Sequence, residues 1–82
     1  MKLQIDILSP AGTMYRGEAV IITLPGSKGS FSVLPNHAAL ISSLTEGEIC
    51  IKENDDSTDE KHISIKGGFV EINKNTVSVC IK

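Results

Sequence analysis

The chain has 82 residues, of which 40% are hydrophobic and 22% charged, with a formal net charge of −2 and a pI near 5.5. This balance is typical of globular proteins, and a chain of this length predicts a single domain, residues 1–82, that buries about 60–65% of its unfolded surface. The acidic pI and the low aromatic content, two Phe, one Tyr and no Trp, argue against nucleic-acid binding.

Apolar runs, the N-terminal sequence and the cysteines indicate the cellular compartment in which a protein works. No apolar run approaches the roughly 20 residues needed to cross a bilayer, and the N-terminus lacks the apolar core of a signal peptide. We therefore expect a soluble protein that works where it is made. Cys50 and Cys80 should then be reduced thiols.

The first part of the chain predicts strands. Residues 2–8 alternate between apolar and polar side chains, the period of a half-buried strand. A turn at 9–12, Ser-Pro-Ala-Gly, precedes a short strand that should end at Gly17. Residues 18–24 alternate again and predict the next strand.

The segment 24–44 holds the densest run of turn-forming residues. Two glycines flank Ser27 and Lys28, which predicts a hairpin tip because glycine accepts positive φ. Pro35 fixes its own φ and disfavours helix before it, so a rigid exposed corner carrying His37 should follow. This corner is the first place to look for function.

The rest of the chain continues the strand pattern. Residues 38–44 fit either a helical turn capped by Asn36 or a strand, and we favour the strand because the neighbouring segments are strands. Residues 53–61, with five of the ten carboxylates and no apolar residue, predict a solvated loop. Further strands are predicted at 48–52, 62–66, 70–72 and 77–81. Eight to ten short strands without a helix indicate an all-β antiparallel sandwich or barrel.

No residue pattern predicts catalysis, a metal site or a cofactor. His37 and His62 have no Ser-His-Asp or Cys-His arrangement, and His62 should be solvated on the polar face of its strand. The two cysteines and two histidines together offer four zinc ligands, but pairs spaced two to five residues apart are absent. Neither a catalytic nor a metal site is therefore expected.

Several motifs resemble one family across the whole chain. They are Leu-Pro-Gly-Ser-Lys-Gly-Ser-Phe-Ser-Val-Leu-Pro-Asn-His-Ala-Ala-Leu-Ile at 24–41, Gly47 before a strand, Gly-Gly-Phe-Val-Glu-Ile at 67–72 and Asn-Thr-Val-Ser-Val at 75–79. The opening segment at 7–17, Ile-Leu-Ser-Pro-Ala-Gly-Thr-Met-Tyr-Arg-Gly, is similar too. In this order and spacing they resemble the N-terminal β-domain of the epsilon subunit of F-type ATP synthase.

The resemblance implies a flattened antiparallel β-sandwich of about ten strands and a non-catalytic role in the central stalk. Such a subunit links the gamma subunit to the polar loops of the c-ring in a proton- or sodium-translocating ATP synthase, peripheral to the cytoplasmic face of a bacterial inner membrane. It uses no cofactor, small-molecule substrate or nucleic acid. By the same resemblance, the positions on the c-ring side are Ser30, Asn36, His37, Ala38 and Leu40.

Three features depart from the family pattern. Ser30 stands where an acidic residue is common, so a charge pair with the ring is not implied there. Ala39 replaces the usual proline after His-Ala. The sequence ends after the last predicted strand, whereas typical members continue into a helical hairpin that inhibits ATP hydrolysis and in some members binds ATP. We therefore expect neither activity.

A second function remains open from the residues alone. Lipoyl and biotinyl carrier domains are also β-sandwiches of this length with a lysine at a hairpin tip, which makes Lys28 the candidate modification site. The flanking residues are not the hydrophobic or acidic ones that those families prefer. A sugar-binding sandwich is disfavoured because aromatic residues are few.

Overall fold

The structure is a computed structural model that describes residues 1–56 and 59–82. Within these ranges the chain forms nine strands and no helix. The strands are β1 (Leu3–Ser9), β2 (Gly12–Ala19), β3 (Ile21–Gly26), β4 (Gly29–Val33), β5 (Leu40–Leu44), β6 (Gly47–Lys52), β7 (Lys61–Ile65), β8 (Gly68–Asn73) and β9 (Thr76–Ile81). The all-β prediction is confirmed.

The strand alternation places one apolar face inward. Every buried side chain in the described residues is apolar, and none is polar or charged. Fully burying one Val, Leu or Ile side chain stabilises a fold by about 1.5–3 kcal/mol. The inner face of the sheet therefore provides most of the stability of the fold. The core consists of Leu3, Ile5, Ile7, Ala19, Ile22, Leu24, Val33, Leu44, Ile49, Ile51, Ile65, Val70, Ile72, Val77, Val79 and Ile81.

The strands form one curled sheet in the order β2-β1-β9-β8-β5-β3-β6-β7, with β4 paired to β3. The two halves of this sheet meet at a single pair, Gly26 opposite Leu44. A Cβ on Gly26 would lie 2.7 Å from the carbonyl oxygen of Gly29 and 2.8 Å from the Phe31 ring. Glycine is therefore required where the sheet folds over on itself, and the result is consistent with a β-sandwich.

The sheet differs from the antiparallel prediction in one pairing and in the strand count. β1 and β9 pair in parallel, with Ile5 opposite Val77, while the other pairings are antiparallel. Side-chain alternation indicates which face a residue occupies but not which strand lies beside it. The described residues form nine strands where about ten were expected.

The predicted break at Gly17 is wrong. β2 runs through this residue, which pairs with Ile5 of β1. A Cβ at Gly17 would lie 2.9 Å from the Tyr15 hydroxyl oxygen. The glycine therefore leaves room for the neighbouring tyrosine ring and does not end the strand.

The other local predictions can be compared directly. The strand predicted over 38–44 is confirmed as β5, although it begins only at Leu40, and the hairpin tip at residues 27–28 is confirmed between β3 and β4. Of the predicted loop 53–61, Lys61 begins β7. Residues 57 and 58 lie outside the described residues, and the described loop residues are exposed or half-buried.

Candidate partner-binding surface

The predicted corner is a tight turn formed by Pro35 and Asn36. Asn36 has φ of 69°, and the amide of His37 donates to the carbonyl of Leu34 at 3.2 Å. Proline followed by a residue with positive φ is the pattern of a type II turn, and asparagine tolerates that conformation better than most residues. Asn36 is thus a turn residue and not the helix cap considered from sequence.

The corner is fixed to a second turn. Lys74 and Asn75 have φ of 50° and 64°, as expected for the two-residue hairpin between β8 and β9. The side-chain Oδ1 of Asn75 accepts a hydrogen bond from the backbone amide of Asn36 at 2.6 Å, and the backbone carbonyl of Asn75 accepts one from the backbone amide of Gln4 at 2.8 Å. These bonds hold the corner against the end of the sheet.

The predicted interface residues divide into two groups. Ser30 and Leu40 both line a groove of about 550 Å³ between the β3–β4 hairpin and β5. Asn36, His37 and Ala38 do not line this groove, and belong to the corner. The groove and the corner are joined through β5, which begins at Leu40, two residues after Ala38.

Hydrogen bonds make the groove a defined feature. The Ser43 hydroxyl of β5 donates to the Ser27 hydroxyl at 2.8 Å, and the Ser27 amide donates to the Ser43 carbonyl at 3.1 Å. The hairpin tip is thereby attached to the strand across the groove. Lys28 lies at this tip, as predicted, and its side chain is exposed.

His37 is half-buried at the corner and has a backbone partner. Its Nδ1 lies 2.7 Å from the carbonyl oxygen of Ala38. Because a carbonyl can only accept, Nδ1 carries the proton and donates. This arrangement orients the ring but does not pair it with a nucleophile.

Apolar side chains are exposed beside the corner and the groove. Leu34 precedes the corner with 54% of its surface exposed, and Leu40 and Ile41 follow it with 36% and 72% exposed. Phe69 lies on the adjacent strand β8, where it pairs with Ser43, and is 53% exposed. We call Leu34, Leu40, Ile41 and Phe69 together the apolar strip; Leu40 lies opposite the buried Ile72, whereas Ile41 and Phe69 lie on the outer face of the sheet. Clusters of this kind commonly mark protein interfaces.

Sequence reasoning missed a polar cluster on β6 and β7. Cys50 lies opposite His62 in the strand register, and the thiol sulfur is 3.3 Å from Nδ1 of the ring. Burial raises the pKa of the Cys50 thiol, and the nearby carboxylates of Glu48 and Glu60 raise it further. His62 is exposed as expected, but it has side-chain partners. The alternation around Glu48 and Cys50 was visible in the sequence, whereas the register with His62 was not.

The family follows from comparison with known proteins. Residues 2–82 match the family model described as ATP synthase, Delta/Epsilon chain, beta-sandwich domain. The chain belongs to this family. The motif-based resemblance is thereby confirmed.

Curated relatives of this delta/epsilon β-sandwich domain are named as epsilon chains. The chain is 41% identical over 78 residues to the ATP synthase epsilon chain of Leptospira borgpetersenii serovar Hardjo-bovis (strain JB197), covering 95% of this chain and 59% of that protein. It is 44% identical over 80 residues to that of Campylobacter lari (strain RM2100), covering 98% and 60%. The chain thus spans about three fifths of the length of these relatives.

Solved structures share the fold of this delta/epsilon β-sandwich domain. A chain in the Euglena gracilis mitochondrial ATP synthase structure, containing OSCP, F1 and the c-ring, superposes with a TM-score of 0.88 at 17% identity, covering 98% of this chain and 50% of that chain. A chain in the Tetrahymena thermophila mitochondrial ATP synthase central stalk and c-ring superposes with a TM-score of 0.78, also at 17% identity, covering 99% and 63%. At this identity the similarity establishes the fold. Among residues 1–56 and 59–82, no helix is long and apolar enough to cross a membrane.

Proposed function

We propose that this chain is a non-catalytic rotor subunit in the central stalk of an F-type ATP synthase. It links the gamma subunit to the polar loops of the c-ring and is peripheral to the cytoplasmic face of a bacterial inner membrane. Membership of the delta/epsilon β-sandwich family and the two bacterial epsilon-chain relatives support this role. The family match does not support the carrier-domain alternative at Lys28.

The observation that carries the proposal is the exposure of apolar side chains around a fixed turn. Leu34 lies directly before the corner and Leu40 begins β5 after it, and a partner that covers these two side chains gains the free energy of removing their surface from water. The corner is already held by the bonds between Asn36 and Asn75, so little conformational entropy is lost on docking. Ser30, Asn36, His37, Ala38 and Leu40 are the residues that we assign to the c-ring side.

The chemistry of these residues suits binding better than catalysis. Ser30 and Leu40 line an open groove, and the ring of His37 donates to a backbone carbonyl. A nucleophile within hydrogen-bond reach of a base is the usual sign of covalent catalysis, and the corner and groove offer no such pair in the described residues. The proposal therefore assigns transmission of rotation to this domain and no reaction.

The gamma subunit requires a broad second contact. Torque passes through both interfaces, so each should exceed about 1,000 Å², the lower bound of specific stable interfaces. Ile41 and Phe69 lie on the outer face of neighbouring strands, away from the core. We assign this outer face of the sheet to the contact with the gamma subunit.

The test uses a complete ATP synthase in vesicles whose epsilon subunit carries His37→Glu and Leu40→Glu together. Two carboxylates placed against the ring would have to lose water without partners, which weakens such interfaces by about 10-fold or more. We expect ATP-driven ion pumping and ion-driven ATP synthesis, with protons or sodium as the coupling ion, to fall at least that much, while ATP hydrolysis by the catalytic subunits continues. Pumping and hydrolysis are measured on the same vesicles.

A control variant adds one carboxylate at an exposed apolar residue away from the corner and the groove. Met14 on β2 is also apolar and 51% exposed, so Met14→Glu tests whether any new surface carboxylate uncouples the enzyme. Subunit incorporation is checked for each variant. Normal coupling in the double variant, or an equal loss in Met14→Glu, contradicts the assignment.

A further inference from the structure

The polar cluster on β6 and β7 has the composition of a metal site and is separate from the apolar strip. Cys50 and His62 are direct cross-strand neighbours, and Glu48 lies two residues before Cys50 on the same face. The Nδ1 atom of His62 is 3.3 Å from the Cys50 sulfur and 3.5 Å from Oε1 of Glu48. All three potential ligand atoms lie within 4.8 Å of one another.

These separations fit tetrahedral coordination of zinc. Zinc bonds of about 2.3 Å to sulfur and 2.0–2.1 Å to nitrogen or oxygen at the tetrahedral angle place sulfur and nitrogen about 3.6 Å apart and nitrogen and oxygen about 3.4 Å apart. The observed distances of 3.3 and 3.5 Å differ from these by a few tenths of an ångström. The Cys50 sulfur and the Glu48 carboxylate, which lie within 4.8 Å of each other, would have to stand about 3.6 Å apart on the ion. Rotation of these side chains would seat the ion on a backbone that the strand register already fixes.

A further carboxylate can support the histidine ligand. Oε1 of Glu60 lies 3.9 Å from Nε2 of His62, on the side of the ring away from Cys50. A carboxylate facing the outer ring nitrogen favours the tautomer with its proton there, which leaves Nδ1 free to bind metal. Glu48 and Glu60 also bring negative charge to the site.

We propose that Glu48, Cys50 and His62 form a zinc-binding site on the β6–β7 hairpin, with water as the fourth ligand. Binding converts the Cys50 thiol to a thiolate and releases its proton to solvent, while His62 binds as the neutral imidazole. Thiolate and imidazole favour Zn²⁺ over the hard cations Mg²⁺ and Ca²⁺, which prefer all-oxygen sites. The inference goes beyond the rotor function and does not depend on it.

The structure also indicates what the ion would do. The three ligands join two strands at the hairpin that encloses the acidic loop, so zinc would fix this hairpin from its outer face. Any ligand that binds only the folded state stabilises that state by RT ln(1 + c/Kd), where c is the ligand concentration, and this stabilisation grows with the ratio of c to Kd. Zinc should therefore raise the melting temperature, and Mg²⁺ at the same concentration should not.

The primary test is a calorimetric Zn²⁺ titration of the reduced, chelator-treated protein. We expect one ion per chain with a Kd that is roughly micromolar or tighter, as for sites with fewer ligands than a closed structural centre. Co²⁺ provides the second readout, because a thiolate ligand gives a sulfur-to-cobalt charge-transfer band. Absence of stoichiometric zinc binding overturns the proposal and leaves the Cys50–His62 pair as a hydrogen bond.

The chain supplies matched controls for each ligand. Cys50→Ser should abolish the cobalt band, whereas Cys80→Ser, on β9, should retain it. His62→Gln and Glu48→Gln should each weaken zinc binding by about 10-fold or more, whereas Glu46→Gln, in contact with Lys66, should not. Circular dichroism checks the fold of every variant. Wild-type affinity in Cys50→Ser, or loss of the band in Cys80→Ser, overturns the assignment.

Discussion

At the scale of single residues, the phenol of Tyr15 is the most perturbed titratable group that the structure describes. Its hydroxyl donates a hydrogen bond to the Glu53 carboxylate, and the Lys61 ammonium lies 5.7 Å from the centre of its ring. The same ammonium is 3.6 Å from Glu53. Burial first, and then the hydrogen bond and charge of Glu53, raise the pKa of Tyr15 to about 12.

The raised pKa predicts that Tyr15 ionises at a higher pH in the folded protein than in the unfolded chain. Tyr15 is the single tyrosine and the chain has no tryptophan, so tyrosinate absorbance reports this residue directly. We expect a midpoint near pH 12 in the folded protein and near 10 in denaturant. Because the folded state holds the proton more tightly, this contribution to stability is complete below pH 10 and is lost as the pH rises through 12.

Two variants separate the causes of the shift. Glu53→Gln removes the negative charge and should lower the midpoint, but not fully to 10, because burial remains. Glu18→Gln, three residues from Tyr15 and on the other face of β2, should leave the midpoint unchanged. A folded-state midpoint near 10 in the wild type would contradict the Tyr15–Glu53 contact.

At the scale of single residues, the sequence predicted the features that depend on neighbouring residues in the chain. The turn at Ser27 and Lys28 follows from flanking glycines, and the corner follows from Pro35 and its neighbour. The partners of His62 could not be predicted, because they depend on the register of two strands joined by a loop of unspecified geometry. The same limit applies to the contact between Asn36 and Asn75, 39 residues apart in sequence.

At the scale of elements, β1 is the clearest case of a strand with two different faces. Leu3, Ile5 and Ile7 are fully buried, while Leu8 is 40% exposed. β2 pairs with one side of β1 and β9 with the other, so its backbone is bonded on both sides. The alternation predicted the buried face correctly, but the parallel partner β9 comes from the far end of the chain.

Substitutions of inward-facing and outward-facing residues of β1 should therefore lower the free energy of unfolding by very different amounts. Ile5→Ala leaves a cavity in the core and should lower the free energy of unfolding by about 3 kcal/mol. Leu8→Ala, on the same strand, should cost about 1 kcal/mol or less because much of that side chain is already exposed. Urea denaturation followed by circular dichroism measures both. Equal costs for the two variants would show that β1 does not face the core in this register.

At the scale of the whole molecule, β9 joins parts of the chain that are distant in sequence. It lies between β1 and β8 in the sheet order and is therefore an interior strand. Its residues Val77 and Val79 are fully buried. Without β9, the β2–β1 pair would lose its connection to the rest of the sheet, and both neighbours would expose unpaired backbone groups.

This position predicts that the fold can be divided and restored. A fragment of residues 1–75 should show no cooperative thermal transition by circular dichroism, and adding a peptide of residues 76–82 should restore one, because the peptide completes both ladders and the core. A peptide with Val79→Asp should fail, since it would bury a carboxylate among aliphatic side chains. A peptide with Cys80→Ser should still work, because Cys80 lies on the outer face and is half-buried. Cooperative unfolding of the 1–75 fragment alone would contradict the central role of β9, since an interior strand cannot be dispensable to the sheet that it joins.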